Sequence, residues 1–431
     1  MQINNEQLTN FRNSQTDPIR AQLQDYLEQL KQDYHSNSYN KPESFIHLPN
    51  DPQIIKDIEN IHIQFKNDQL DYIYIIGIGG SYLGAKAVYD ALIGYTDIYH
   101  PNQTPKLIFL DTCNSTQLNS VFPIITLYQN NPEKLLFILI SKSGTTMESL
   151  VNYELISTVF PNLLDRTIVI SSKDTPLEKW ALAKSLPYSA QPAQVGGRYS
   201  IFSVTGLLPL PFHNINISDL IKGARDLSDS FFADPFGHAI YESTLLLFLN
   251  YNSGHLLHEL FFFNSELETL GKWYRQLLAE SLGKSINNNP NQQVGITPTI
   301  SIGSTDLHSI EQLTLGGPNR VFTTFITAPH SSQINLPAEL ILGYEPNHIK
   351  GKSIHQIMDS IYQGVLMSRK HHNIPYNEIK LSDITEYELG QLMQSFMLET
   401  ILLAKLLNVN AFDQPNVELY KEKTREILSK L

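Results

Sequence analysis

Read for its apolar and polar positions, the chain falls into short continuous apolar runs separated by longer amphipathic ones. An apolar run of five or six residues bounded by turn formers marks a strand buried on both faces. Such strands belong to parallel sheets covered by helices. Asp71–Ile76 (D-Y-I-Y-I-I) is the first, with a loop at Gly77–Gly80 and a predicted helix at Tyr82–Ile93. Lys106–Leu110, Leu135–Ile140 and Arg166–Ile170 are predicted as further strands, with a helix at Met147–Phe160. Around 215–240 the pattern breaks into polar turns and a helix, and a second block follows. It holds a long helical stretch at about Ser265–Ser281, strands at Ile296–Ile302 and Val321–Thr327, and helices near 353–370 and 385–407. A last helix is predicted over Asn416–Leu431, just after Pro415. Residues 1–45 alternate polar and apolar positions and read as helices or an arm, punctuated by Pro42 and H-L-P-N-D-P at 47–52. The pattern predicts an α/β chain of mainly parallel sheets flanked by helices.

Length agrees with two such blocks, since 431 residues exceed what one core of ordinary size holds. With 42% hydrophobic and 17% charged residues the chain can fill real cores. Cys113 is the single cysteine, which excludes an intramolecular disulfide and fits a reducing cytoplasm. The polar start, M-Q-I-N-N-E-Q-L, lacks the order of a signal peptide, and runs such as Leu135–Ile140 and Leu245–Leu249 are far short of a membrane span. A net charge of -12 argues against nucleic acid as the main partner. It leaves room for a small anion, which one loop can bind inside an acidic protein. No solenoid repeat or low-complexity tract is present.

Two strand-to-helix loops carry the candidate chemistry. G-I-G-G-S-Y-L-G (77–84) has glycines at the first and third positions of a dinucleotide fingerprint, but Tyr82 stands at the sixth and Gly84 comes two residues late. Asp111 ends the next predicted strand, as an acid does in that fingerprint. The phosphate loop of nucleotide hydrolases fails too: G-K-S at 283–285 and at 351–353 lacks the earlier glycine, where Leu278 and Pro346 stand. S-K-S-G-T-T (141–146) follows the most apolar strand and opens a helix. Ser141, Ser143, Thr145 and Thr146 offer four hydroxyls and Lys142 a charge, beside the free N–H groups of a helix N-terminus. A helix cap needs one hydroxyl. Four with a lysine suit a dianionic phosphate, so a phosphorylated small molecule is the expected ligand.

These loops, with V-G-G-R-Y-S-I-F-S-V-T-G-L (195–207), A-E-S-L-G-K (279–284), G-S-T-D-L-H-S (303–309) and F-D-Q-P-N-V-E-L-Y-K (412–421), resemble the glucose-6-phosphate isomerase family, in the family's order from about residue 70 onward and closest to its shorter bacterial branch. The resemblance implies two sugar-isomerase (SIS-type) domains, each an αβα sandwich. The expected division is an N-terminal helical arm at 1–45, a first domain at 46–215 with the phosphate loop, a second at 216–407, and a segment at 408–431 that folds back to the active site. It implies a cytoplasmic homodimer of glycolysis and gluconeogenesis with sites at the interface, no cofactor and no metal. Ser141, Ser143 and Thr146 would hold the phosphate, with Gly80 and Ser81 lining the sugar. The chain ends ten residues after Lys421, so the longer C-terminal extension of larger relatives is expected to be absent.

Interconverting an aldose and a ketose phosphate needs ring opening, a proton moved between C2 and C1, and a stabilised enediolate. Glu280 ends the predicted amphipathic helix with Gln276 four residues earlier on the same face. A helix C-terminus disfavours negative charge, which suits a proton-accepting carboxylate. The resemblance makes Glu280 the base and Gln276 a binding residue. It makes Arg198, after two glycines, the cation facing the enediolate. His308 is expected at the start of a helix with Asp306 as cap, where an imidazole suits ring opening, and the resemblance sends it into the partner's site. Lys421 is expected on the inward face of the last helix with Val417, Thr424, Leu428 and Leu431; the resemblance places it at the ring oxygen beside Gln414. Three rivals remain. H-L-L-H-E (255–259) puts two histidines three apart on a predicted helix, a spacing able to share a metal. A non-catalytic sugar-phosphate sensor needs the Ser/Thr loop alone, usually with a DNA-binding helix pair, and no basic pair is evident. A bifunctional enzyme also accepting mannose 6-phosphate would differ in pocket shape near C2.

Overall fold

The computed structural model describes residues 1–36, 38–65, 69–289, 291–329, 334–341 and 347–431. Among them the strands are β1 (Gln2–Asn4), β2 (Tyr72–Ile76), β3 (Lys106–Leu110), β4 (Leu135–Ile140), β5 (Thr167–Ser171), β6 (Tyr188–Ala190), β7 (Leu257–Phe262), β8 (Lys284–Ser285), β9 (Gln293–Val294), β10 (Thr297–Ile302), β11 (Val321–Thr327) and β12 (Tyr376–Lys380). Two five-stranded sheets form, in the orders β3-β2-β4-β5-β6 and β1-β12-β11-β7-β10. The first is parallel throughout, and in the second only β1 runs antiparallel. The centre of the first sheet goes to the most apolar run. All six residues of β4 are buried. Each such side chain contributes about 1.5–3 kcal/mol at most on burial, enough to offset the ~1–2 kcal/mol of ordering its backbone. An edge position would forfeit half of that gain.

The strand order fixes where ligands can enter. From β2 the chain steps to β3 on one side and then to β4 on the other, so the loops after β2 and β4 diverge and open a crevice at the strands' C-terminal ends. Those loops are G-I-G-G-S and S-K-S-G-T-T. The helix Glu268–Leu282 connects β7 to β10 in the second sheet and also packs on the helix Leu83–Tyr89 of the first. The apolar core is continuous through it: Ile73 and Ile75 share one buried cluster with Trp273, Leu277, Leu260 and Phe262.

Several expectations change. H-L-L-H-E is not helical. Leu257–Phe262 is the strand between β10 and β11, and His258 is fully buried there, bonded to Thr324 Oγ1 (2.8 Å) and the Tyr274 hydroxyl (2.8 Å). A short apolar run is compatible with either period, and the slot between two parallel strands decided it. His255 lies before the strand, with Nδ1 3.2 Å from the Asn250 carbonyl, while His258 lies within it, so the helical spacing of the two histidines does not form. The predicted helix Tyr82–Ile93 is regular only over Leu83–Tyr89 and widens into a π turn at Asp90–Gly94. The N-terminal stretch contains the expected helix, Asn13–Tyr34, which buries Ile19, Leu23, Leu27, Leu30 and Tyr34 and packs on the helix Glu386–Leu406. It also supplies β1, which pairs Gln2–Asn4 with Glu378–Lys380 of the distant β12. Among the described residues no helix is long and apolar enough to cross a membrane.

Candidate active site

The crevice is closed on one side by two glycine loops in backbone contact. A Cβ on Gly80 would lie 2.1 Å from the carbonyl carbon of Gly197, so G-I-G-G and V-G-G-R can touch only without side chains. Ser200 Oγ bridges them, donating towards the carbonyls of Gly80 (3.3 Å) and Gly197 (2.8 Å). Gly79 adopts φ +59°, and a Cβ there would press on Gln276 Nε2.

Arg198 follows this contact and is 1% exposed. Burying a guanidinium is costly unless its donors are met. Here Nε donates to Ser281 Oγ (2.9 Å), Nη1 to Glu280 Oε2 (3.0 Å), and Nη2 to the carbonyls of Ala411 (2.5 Å) and Asp413 (3.4 Å). The Tyr199 hydroxyl shares Ser281 Oγ at 2.9 Å.

Glu280 sits in the last turn of Glu268–Leu282, its side chain one-third exposed to the crevice. Oε1 accepts from Gln276 Nε2 (3.1 Å), one turn back on the same face. Oε2 accepts from Arg198 and from Gln414 Nε2 (2.8 Å). Gln276 Oε1 is buried without a partner, an acceptor left for a hydroxyl on a ligand. One carboxylate is therefore oriented by three donors from three separate stretches of chain, yet stays reachable.

The Ser/Thr loop follows β4 at the C-terminal edge of the first sheet. Gly144 adopts φ +70° and packs its backbone on Leu177 and Thr175. Ser141 Oγ and Thr146 Oγ1 lie 2.8 Å apart, and Ser143 Oγ and Thr145 Oγ1 3.0 Å apart. Thr146 precedes the helix Met147–Ser157 and makes no side-chain cap bond, so its first amides keep their donor capacity. Lys142 is half-buried; desolvation first, and then repulsion from Arg198, push its ammonium below the usual lysine value. An anion between these two cations relieves both effects.

Two predicted residues lie elsewhere. His308 is exposed at the last position of the 3-10 turn Thr305–His308, and the next helix begins only at Glu311. It therefore faces no helix N-terminus. Asp306 does not cap the turn with its side chain: it accepts from Ile302 N (2.7 Å) and Ser309 Oγ (2.7 Å). Lys421 pairs with Glu418 (2.7 Å) on the helix Glu418–Leu428, in which no residue is buried. Of the inward face expected of Val417, Lys421, Thr424, Leu428 and Leu431, the first three are half-buried and the last two are exposed, so the chain covers only its N-terminal part. Among the described residues neither His308 nor Lys421 bonds to the Glu280 cluster. Sequence reasoning missed Ser281, Lys284 and Asp413. Lys284 is 8% exposed, donates to the Asn410 carbonyl and pairs with Asp413 Oδ1 at 2.8 Å. Its only sequence signal is its place in A-E-S-L-G-K, beside the candidate base.

The sequence model of the family described as phosphoglucose isomerase matches residues 63–431. A probable glucose-6-phosphate isomerase of Methanococcus maripaludis is 32% identical, over 83% of this chain and 78% of the relative. A glucose-6-phosphate isomerase of Exiguobacterium sibiricum is 31% identical, over 85% and 82%. A crystal structure of a hypothetical protein from Thermus thermophilus superposes with a TM-score of 0.84 at 26% identity, over 99% of both chains.

Proposed function

The chain belongs to the phosphoglucose isomerase family, and from that premise we infer that it interconverts glucose 6-phosphate and fructose 6-phosphate using Glu280 as the proton-moving base. The observation that carries the assignment is the Glu280 carboxylate, gripped by Arg198, Gln276 and Gln414 while one-third exposed to a crevice whose far wall is the Ser/Thr loop. The substrate's phosphate sits on Ser141, Ser143, Thr145 and Thr146, with Lys142 and the amides of the following helix opposing its charge. Gly80 and Ser81 line the sugar.

Once the ring is open, Glu280 takes the proton from C2 and returns it to C1, while the C2 hydroxyl proton passes to the C1 oxygen, so that C1 becomes the alcohol and C2 the carbonyl. The carbon skeleton gains no atom and loses none, and the charge that develops on the enediolate oxygens faces Arg198. A guanidinium already fixed by its neighbours needs no rearrangement to meet that charge. Gln276 and Gln414 hold the carboxylate in plane between the two carbons.

Ring opening is the task of His308, which a second copy of the chain brings to the site, and of Lys421 on the C-terminal segment. Support for a homodimer is the exposure of His308, without a bond to the Glu280 cluster, and the apolar residues of the terminal helix, where Leu419 is 62% and Ile427 61% exposed. The reading extends to a cytoplasmic enzyme of glycolysis and gluconeogenesis.

A coupled assay of fructose 6-phosphate conversion, without added metal or nucleotide, tests the assignment. Wild type is expected to turn over and Glu280→Gln to lose about 10²- to 10⁴-fold in kcat, the span of a positioned general base. Retained turnover in the variant removes Glu280 from the role.

A further inference from the structure

Residues 409–414 form neither helix nor strand, yet they deliver Gln414 to the base. The backbone hydrogen bonds of this strap lie only at its ends, Val409 N to the Ala404 carbonyl and Val417 N to the Gln414 carbonyl, so the course between is set by what grips it. Two buried cations do so. Arg198 takes the carbonyls of Ala411 and Asp413. Lys284 takes the carbonyl of Asn410 and the carboxylate of Asp413, at 2.8 Å. The Phe412 ring adds a third hold, lying against Tyr199 with centroids 5.3 Å apart.

Lys284 stands two residues past the end of the helix that carries Glu280. The same short stretch thus presents the base and clamps the strap whose next residue, Gln414, bonds to it. We propose that Lys284, through Asp413, is a positioning residue of the isomerase: the pair acts as a clasp that sets Gln414 on the Glu280 carboxylate. The clasp rests on the proposed role of Glu280.

Physical economy supports it. A buried ammonium is expensive to desolvate, and apolar packing of similar volume commonly serves stability as well or better. The Lys284 side chain is 7% exposed while Asp413 is 43% exposed, so the ion pair reaches from the core to the rim of the crevice. That is the direction in which the strap must be held. Fixing the side chain and carbonyl of residue 413 leaves residue 414 little angular freedom, and small displacements of a catalytic carboxylate are costly in rate.

The test is a double-mutant cycle on the full-length enzyme, with Lys284→Met and Asp413→Asn each made alone and together with Gln414→Ala. Steady-state kcat, KM for fructose 6-phosphate and Tm are recorded. Lys284→Met is expected to lower kcat about 10- to 100-fold with KM changed less than about threefold. In the Gln414→Ala background the same change is expected to cost less than about twofold, because the clasp then has nothing to position. Lys284→Arg, which keeps the cation, is expected to recover part of kcat. Effects that multiply fully with Gln414→Ala overturn the clasp. Should Lys284→Met fail to fold, Asp413→Asn at the half-exposed end of the pair runs the same cycle. Glu280→Gln is assayed alongside. If it is active, the base assignment has failed; if it is dead while the cycle multiplies, only the clasp has.

Discussion

At the scale of single residues, burial decides chemistry more than residue type does. Glu280 and Glu399 are both glutamates on helices, but Glu399 lies in the core with Ser243 Oγ donating to it at 2.5 Å, and burial pushes its carboxyl up to about 7. Unfolded, it releases its proton near 4.5, so the folded chain binds the extra proton between those values. The stability this gives is complete below about pH 4.5 and is lost as pH rises through 7, at about 1.4 kcal/mol per pH unit. His258 works in the opposite sense. Burial pushes it down to about 3, so its contribution is present above about 6.5 and is lost as pH falls. Glu399→Gln mimics the protonated acid and leaves His258 in place. It is expected to be more stable than wild type by about 3 kcal/mol at pH 8, with the gap closing near pH 4.5, in urea unfolding at both values. An equal gap at both pH values would contradict the shift.

At the scale of elements, legibility followed burial. β3, β4 and β11 stand where the apolar runs put them; central β4 is buried at every residue, whereas edge strand β3 is buried only at Leu107 and Leu110. β7 was unreadable: L-H-E-L-F-F mixes a buried histidine and a buried glutamate into the run, and both are satisfied only by partners on other elements, Thr324, Tyr274, Ser301 and Thr323. β1 was unreadable because three residues have no period. The terminal helix shows the reverse case. Its amphipathic pattern is real, but an 11-residue helix with no buried residue is marginal by itself, so its apolar side calls for a surface from outside the chain. Leu419→Glu combined with Ile427→Glu is expected to shift a dimer towards monomer in sedimentation velocity, while altering the unfolding free energy of the monomer by no more than about 0.5 kcal/mol. A dimer that survives both changes places the interface elsewhere.

At the scale of the whole molecule, the site belongs to no one domain. The Ser/Thr loop and Arg198 lie before residue 215, Glu280 and Gln276 come from the helix that bridges both sheets, and Gln414 arrives on a strap near the C-terminus. The proposed dimer would add His308. Glu280→Gln and His308→Ala homodimers are each expected to be inactive, and their co-expressed mixture active, because one site of the hybrid then carries neither defect. No recovery on mixing means that His308 acts within its own chain.

The sequence alone determined the parallel α/β architecture and the family, since these rest on local signals: uninterrupted apolar runs and six motifs in order. Only the tertiary structure decided that Arg198 is held by Ser281 and two strap carbonyls, that Lys284 grips Asp413, and that His258 lies in a buried strand. Those facts depend on groups as far as 215 residues apart in sequence being brought within hydrogen-bond distance. A chain's local pattern records which faces are buried, not which partner buries them.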